Sequence, residues 1–173
     1  FANYSLNYRN NNIDVYFGSS YSKYDGDHFG KIIWAQNTPG IQINDRFYDG
    51  NGIKKDFNSY IKANYQINPK LFLYGDIQLR NISYNTFGST SDITNFLIDK
   101  KYKFFNPKAG LNLSISDYSS LYFSFAKSNR EPTRSDYESN PNIKAEQLDD
   151  YELGWSFVKN KFNLTTNFYM MLY

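Results

Sequence analysis

The connections between the apolar runs of this chain alternate between short and long, and that rhythm constrains the fold more than any other feature. The pattern is clearest from Ala109 to Trp155. Ala109, Leu111, Leu113 and Ile115 recur at every second position, and Ser116-Asp117-Tyr118-Ser119 makes a tight polar turn. Leu121, Phe123 and Phe125 alternate again, a long polar stretch runs from Asn129 to Gln147, and Tyr151, Leu153, Trp155 and Phe157 resume the pattern. Period-two alternation puts one residue class on one face of a strand.

The same unit covers the rest of the chain. Ala2, Tyr4, Leu6 and Tyr8 form the apolar positions of a first strand, and Asn10-Asn11-Asn12 turns it into a second over Ile13–Tyr24. Residues 25–56 then read as the longest irregular segment, punctuated by Gly26, Gly30, Pro39, Gly40, Gly50 and Gly52, with a short strand of its own at Lys31–Ala35. A third strand spans Phe57–Ile67, Asn68-Pro69-Lys70 turns, and a fourth spans Leu71–Tyr84. Residues 85–103 read as another long loop, and Pro107 is expected at the first turn of the fifth strand or at a bulge, because it has no donor. Val158–Lys161 leads to an eighth strand, Phe162–Leu172.

Loop lengths sorted by parity are a property of outer-membrane barrels, which carry short turns at one rim and long loops at the other. Strands of about 9 to 11 tilted residues cross a bilayer. Charge agrees. The apolar positions of the third to eighth runs carry no Lys, Arg, Asp or Glu, whereas Lys62, Asp76, Arg80 and Glu152 fall on the opposite face. That face is otherwise small and wet, with Gly110, Asn112, Ser114, Ser124, Ala126, Gly154 and Ser156. Such residues fill an eight-stranded lumen poorly, so a wider barrel holding water or another domain is expected. The fold class is all-β: an antiparallel, up-and-down transmembrane β-barrel, about eight strands of a larger one. Phe1 and Tyr173 both fall inside alternating patterns, so a section of a longer chain is expected. A complete small barrel with an adhesive or structural role and a soluble β-sandwich binding module are the competing architectures.

Composition narrows the chemistry. Aromatic residues make up 20% of the chain while the mean hydropathy is −0.67, which suits a sheet apolar on one face and wet on the other. A net charge of +2 without a basic, aromatic-interleaved patch argues against nucleic acid. With no cysteine there is neither a disulfide framework nor a Cys-based zinc site. No 18-residue apolar run offers a transmembrane helix. The single histidine, His28, sits among Asp25, Asp27 and Phe29 and reads as a solvated loop residue rather than part of a catalytic triad. No catalytic residue is assigned, and no enzyme is expected. Asn44-Asp45 and Asp49-Gly50-Asn51-Gly52 offer oxygen ligands, but their spacing is not that of a calcium loop and turn chemistry accounts for them. No metal site and no cofactor are assigned. The densest functional candidate is Arg130-Glu131-Pro132-Thr133-Arg134-Ser135-Asp136-Tyr137, followed by Glu138. Its guanidinium and carboxylate groups can build a bidentate ion-pair network, either pinning the long loop to the rim or presenting Arg130 or Arg134 to an anionic ligand or an inner domain. Trp34, Phe47 and Tyr48 read as an aromatic ligand surface or as the small core of their own loop.

Three strings resemble a known family: Phe105-Asn-Pro-Lys-Ala-Gly-Leu111, Asn129-Arg-Glu-Pro-Thr-Arg-Ser-Asp-Tyr137 and Leu148-x-x-Tyr151-Glu-Leu-Gly154. They are similar to the barrel of TonB-dependent outer-membrane receptors of the Bacteroidetes type, and Asn167-Phe-Tyr169 through Tyr173 looks like a strand of that barrel. The resemblance implies a barrel of about 22 strands closed by a globular plug, importing a scarce nutrient such as a siderophore, cobalamin or an oligomer. It further implies outer-membrane lipid, the receptor's own plug domain and an inner-membrane energy-transducing complex as partners, reached through regions outside residues 1–173. On this reading Lys62, Asp76, Arg80 and Glu152 face the plug or lumen, Arg130 and Arg134 brace the rim, and residues 1–173 are barrel without plug.

Overall fold

The computed structural model describes residues 1–36, 39–92 and 95–173. Eight strands and one short helix follow in order: β1 (Ala2–Arg9), β2 (Ile13–Lys31), β3 (Arg46–Asn68), β4 (Leu71–Ser89), β5 (Asn95–Ser116), β6 (Ser119–Arg130), α1 (Arg134–Ser139), β7 (Glu146–Lys159) and β8 (Phe162–Leu172). All eight strands form one sheet in chain order, each neighbouring pair antiparallel. This is the expected up-and-down meander. A sandwich needs two packed sheets, so that alternative falls. The described β1 and β8 are the sheet's edges, so these eight strands do not close as a small barrel.

Register converts alternation into a continuous outer surface. Tyr8, Val15, Ala63, Gly75, Ala109, Phe125, Tyr151 and Met170 line up as one row across all eight strands. Ile13, Tyr65, Leu73, Leu111, Phe123, Leu153 and Phe168 form the next. Much of this surface has no protein to pack on: Phe123 and Leu153, and Ile61 and Ile77 of a neighbouring row, are each more than 40% exposed. A contiguous apolar patch of this extent is untenable in water and is matched by acyl chains. Among the described residues no helix is long and apolar enough to cross a membrane, so any crossing is made by strands.

The two ends of the sheet differ as expected. Residues 10–12, 69–70, 117–118 and 160–161 turn at one end, where Asn160 takes φ 55°, a left-handed conformation that Asn tolerates. Residues 32–45, 90–94 and 131–145 connect strands at the other, the loop end. The loop-end strands are much longer than the alternation suggested. β2 continues to Lys31 and β3 begins at Arg46, so most of residues 25–56 is strand, and no separate strand forms over Lys31–Ala35. Likewise β4 runs to Ser89 and β5 starts at Asn95, so residues 85–103 are not a long loop. The glycines misled because they lie inside strands. Gly26 pairs with Gly52, His28 with Gly50, and Gly50 with Gly88.

Gly88 is indispensable among them. Its φ is +121°, and a Cβ there would run into the backbone of Asp49 and Gly50 across the ladder. Gly88→Ala is therefore expected to cost about 1–3 kcal/mol, read as a lower urea midpoint of the folded barrel, whereas Gly75→Ala, with room for a Cβ, should change it little. Equal midpoints for both variants would refute the close-approach account.

Pro107 is neither at a strand's first turn nor at a bulge. It lies inside β5, opposite Ile77 of β4, and the β5–β6 ladder begins one residue later, at Lys108 and Ala126. Without an N–H, proline cannot extend that ladder. β6 instead follows β7 up to Arg130 opposite Glu146, leaving the upper part of β5 without a backbone partner on that side. Asn129 bridges the opening: its Nδ2 donates to the Asn106 Oδ1 at 2.8 Å and to the Phe105 carbonyl at 3.3 Å.

The inner face is less empty than its composition suggested. Gly18, Gly110 and Gly154 each pair across the ladder with a tyrosine, respectively Tyr60, Tyr74 and Tyr122. Each tyrosine ring lies over its glycine, occupying the space a Cβ would need. The small residues are thus partly floored by aromatic rings. Among the described residues the buried apolar side chains gather at the loop end of this face, where Ile82, Ile98, Phe104 and Tyr137 pack with Thr86.

Candidate functional site

That buried region is built by the β6–β7 connection folding back onto the inner face. Pro132 breaks the strand, and Thr133 caps α1. The Thr133 backbone N–H donates to Asp136 Oδ2 at 2.8 Å and the Asp136 N–H donates to Thr133 Oγ1 at 3.3 Å, a reciprocal capping box. The helix delivers Tyr137, 4% exposed, to a hydroxyl–hydroxyl contact with Tyr102 of β5. Burial pushes the Tyr137 phenol up from its usual range, whereas hydrogen bonds accepted from the Thr133 backbone N–H and hydroxyl hold the Asp136 carboxyl below the usual carboxylate range.

Glu131 is the anchor. Period-two extension of β3 and β4 puts Lys54, Asp56, Arg80 and Ile82 on the inner face, and Glu131 drops between them. Its Oε1 accepts from Lys54 Nζ at 2.5 Å and its Oε2 from Arg80 Nη1 at 3.0 Å. Arg80 also donates through Nε and Nη2 to Asp56. The Glu131 side chain is 9% exposed, so it is a nearly buried carboxylate with two cations as partners. Burial alone would raise its pKa. The Lys54 hydrogen bond, a backbone hydrogen bond and the Arg80 and Lys54 charges outweigh burial and hold the carboxyl below its ordinary value.

The other residues of the string are committed locally. Arg130 pairs with Glu146 at the foot of the connection, exposed on both sides. Arg134 pairs with Glu138 one helical turn on and stacks its guanidinium over the Phe96 ring, 4.2 Å from the centroid. Both guanidinium groups thus already have carboxylate partners. Arg134 and Glu138 nevertheless line an open recess of about 420 Å³ with Tyr48, His28, Thr133 and Ser135. His28 Nε2 lies 3.3 Å from the Tyr24 hydroxyl, with no serine or aspartate in a triad arrangement. Among the described residues no three His, Asp or Glu side chains gather as a metal would require.

The three aromatic candidates do not form one surface. Phe47 and Tyr48 meet edge-on with centroids 4.9 Å apart, over Gly30, while Trp34 is 74% exposed and makes no ring contact among the described residues. Of the lumen candidates, Arg80 belongs to the anchor. Lys62 and Asp76 face each other across β3 and β4 in the turn-end half, with Lys108 next in the row and no direct ion pair among them. Glu152 accepts from the Tyr122 hydroxyl at 3.2 Å. Lys54 and Asp56 were missed because residues 25–56 read as irregular. Extending the alternation of β3 by two steps would have placed both beside Arg80.

Solved structures share the fold. The ferric-catecholate import receptor Fiu of E. coli K12 matches with a TM-score of 0.64 at 17% identity over 95% of this chain and 28% of that one. The copper transporter OprC matches with a TM-score of 0.75 at 11% identity over 98% and 29%. The ferric yersiniabactin uptake receptor FyuA of Yersinia pestis matches with a TM-score of 0.61 at 12% identity over 96% and 27%. The chain therefore spans less than a third of each structure. No curated protein matches it in sequence. The family model for TonB dependent receptor-like β-barrels matches residues 1–173. With its eight antiparallel strands, apolar outer rows and charged inner face, the chain belongs to the TonB-dependent receptor-like β-barrel family.

Proposed function

We propose that residues 1–173 are one section of the barrel domain of an outer-membrane receptor that takes up a scarce nutrient by energy-coupled transport. The observation that carries this is the two-sided sheet itself. It has largely apolar rows outside, charged and tyrosine-lined rows inside, and the longer connections at one end. In this reading the loop end faces outward in a Gram-negative outer membrane, with the Bacteroidetes type as the narrower expectation. The recess at Tyr48, His28 and Arg134 receives ligand, and the turn-end half of the inner face, with Lys62, Asp76 and Glu152, contacts a plug domain supplied elsewhere in the whole protein. Arg130 and Arg134 brace the rim connection. The ligand class is a metal chelate, cobalamin or an oligomeric nutrient; the compared receptors, named for ferric chelates and copper, support the first.

The test is accumulation of labelled ferric siderophores, copper and cobalamin in cells with and without the whole receptor. At least one ligand should accumulate only with the receptor, and its uptake should fall to background when the energy-transducing complex is deleted. Uptake that persists without that complex would overturn the transport reading.

A further inference from the structure

The outer surface holds a basic feature that transport does not use. On β2, β3 and β5 the outward-facing band, apolar except at Ser19 and Ser59, reaches Tyr21, Phe57 and Phe105 at the loop end. The next outward residues are Lys23, Lys55 and Lys103, and Lys101 follows Lys103. Register places Lys23, Lys55, Ser83 and Lys101 in a single row across four strands. Like charges set opposite one another in a sheet are unfavourable, and only Lys23 is neutralised, by Asp25 at 3.0 Å. Lys55, Lys101 and Lys103 are exposed and, among the described residues, form no ion pair. Three further carboxylates lie outward on these strands, Asp27, Asp49 and Asp99; all are further from the apolar band than the lysines, and Asp99 is one outward position beyond Lys101.

Between these lysines the small Ser83 and Asn81 leave a shallow trough of about 210 Å³, bounded on the membrane side by Phe57 and Tyr21. Lys55 and Lys101 flank it two interstrand spacings apart, about 10 Å. One outward step along a strand is about 7 Å, so the ammonium groups sit just above the acyl region. The trough therefore has an apolar floor continuous with the band and a cationic rim at headgroup height.

We propose that Lys55, Lys101 and Lys103 form a binding site for a phosphate-bearing lipid headgroup of the outer leaflet, with an acyl chain against Phe57. The inference rests on the outer-membrane reading above and is independent of what is transported. Unpaired cations beside an apolar surface attract anionic lipid, and no carboxylate of the described residues forms an ion pair with these three.

The experiment uses the whole receptor purified in mild detergent and native mass spectrometry, with bis-phosphorylated lipid A, dephosphorylated lipid A and inorganic phosphate as probes. Each lysine near an anionic surface contributes about fivefold, so the K55Q/K101Q/K103Q variant should bind lipid A about 100-fold more weakly. A matched K70Q/K159Q/K161Q variant, altered at the turn end, should bind as the unaltered receptor does. Independently of any variant, dephosphorylated lipid A should bind the unaltered receptor far more weakly. Equal binding of the two lipids, or equal loss in both lysine variants, overturns the proposal. Displacement of lipid A by millimolar inorganic phosphate assigns the site to free phosphate and also overturns it. Membrane fractionation and heat-dependent electrophoretic migration of the same samples report the outer-membrane reading separately. A receptor that inserts and folds but fails the lipid test sinks only this inference.

Discussion

Lysine in place of Leu111 is expected to keep most of the protein from folding into a bilayer, while lysine in place of its neighbour Asn112 is expected to change little. Leu111 lies near the middle of the apolar band, between Leu73 and Phe123 in an outward row. Asn112 pairs with Phe72 and Tyr122 on the opposite face. A lysine at the bilayer midplane of a barrel costs about 2–4 kcal/mol, which lowers the folded-to-unfolded ratio roughly 30- to 1000-fold. Truncating the leucine adds a smaller loss of packing. On the wet face an ammonium keeps its water and costs about nothing. Urea titration of both variants in lipid vesicles, read by the faster migration of unheated folded protein, separates the two. Similar midpoints for L111K and N112K would mean that the sheet's faces are not divided between lipid and water, and the membrane architecture would fail with them.

This contrast between adjacent residues shows why so much of the fold was legible. Between Phe57 and Ile67, or Ala109 and Ile115, lipid on one side and water on the other impose period two on every position. The sequence pattern and the register of the rows are two views of one constraint. Beyond the band that constraint lapses, because both faces meet water or loop. Ile53, Lys55, Asn51 and Gly52 of β3 show no alternation, although the strand continues there. Glycine then read as loop where it in fact admits rings and close backbone approach, as at Gly30 beneath Phe47 and Tyr48. Pro107 misled for a related reason. Its missing donor was read as a strand limit, whereas it limits only the ladder on one side of a strand that β4 continues to hold. The candidate site was half legible. The string from Arg130 to Tyr137 announced ion pairs and a capped turn. Its anchor, Glu131, depends on Lys54 and Arg80, 77 and 51 residues away in sequence. No local pattern encodes that meeting; only the ladder that stacks β3 beside β4 does.

The anchor supplies the second large effect. Replacing Glu131 with Gln is expected to release the β6–β7 connection from the inner face while leaving the strands paired. The carboxylate is nearly buried between two cations, and hydrogen bonds to charged groups contribute about 1.5–3 kcal/mol each. Arg80 keeps Asp56 in the variant, so the principal loss is at Lys54, which is left without its carboxylate. A net cost of about 2–3 kcal/mol offsets most of what burial of the Tyr137 ring returns, about 1.5–3 kcal/mol, and the chain entropy of residues 131–145 then favours release. Acid should mimic the substitution. Glu131 is held below its ordinary range in the docked state, and a free glutamate titrates near about 4.3. Its stabilisation is therefore complete above that pH and is lost as pH falls through the lower, docked value. Asp136, also depressed, acts in the same direction through the helix cap. Tyr137 acts oppositely: its raised pKa favours the docked state until pH climbs past about 10, where the free phenol ionises. The chain has no cysteine, so a single spin label at Ser139→Cys, an exposed position on α1, reports docking directly. An immobile spectrum should hold from about pH 5 to pH 9, become mobile in acid, and be mobile throughout in E131Q. An immobile label in E131Q at neutral pH would show that the rim segment is held by something other than Glu131, and the ion-pair anchor would have to be abandoned.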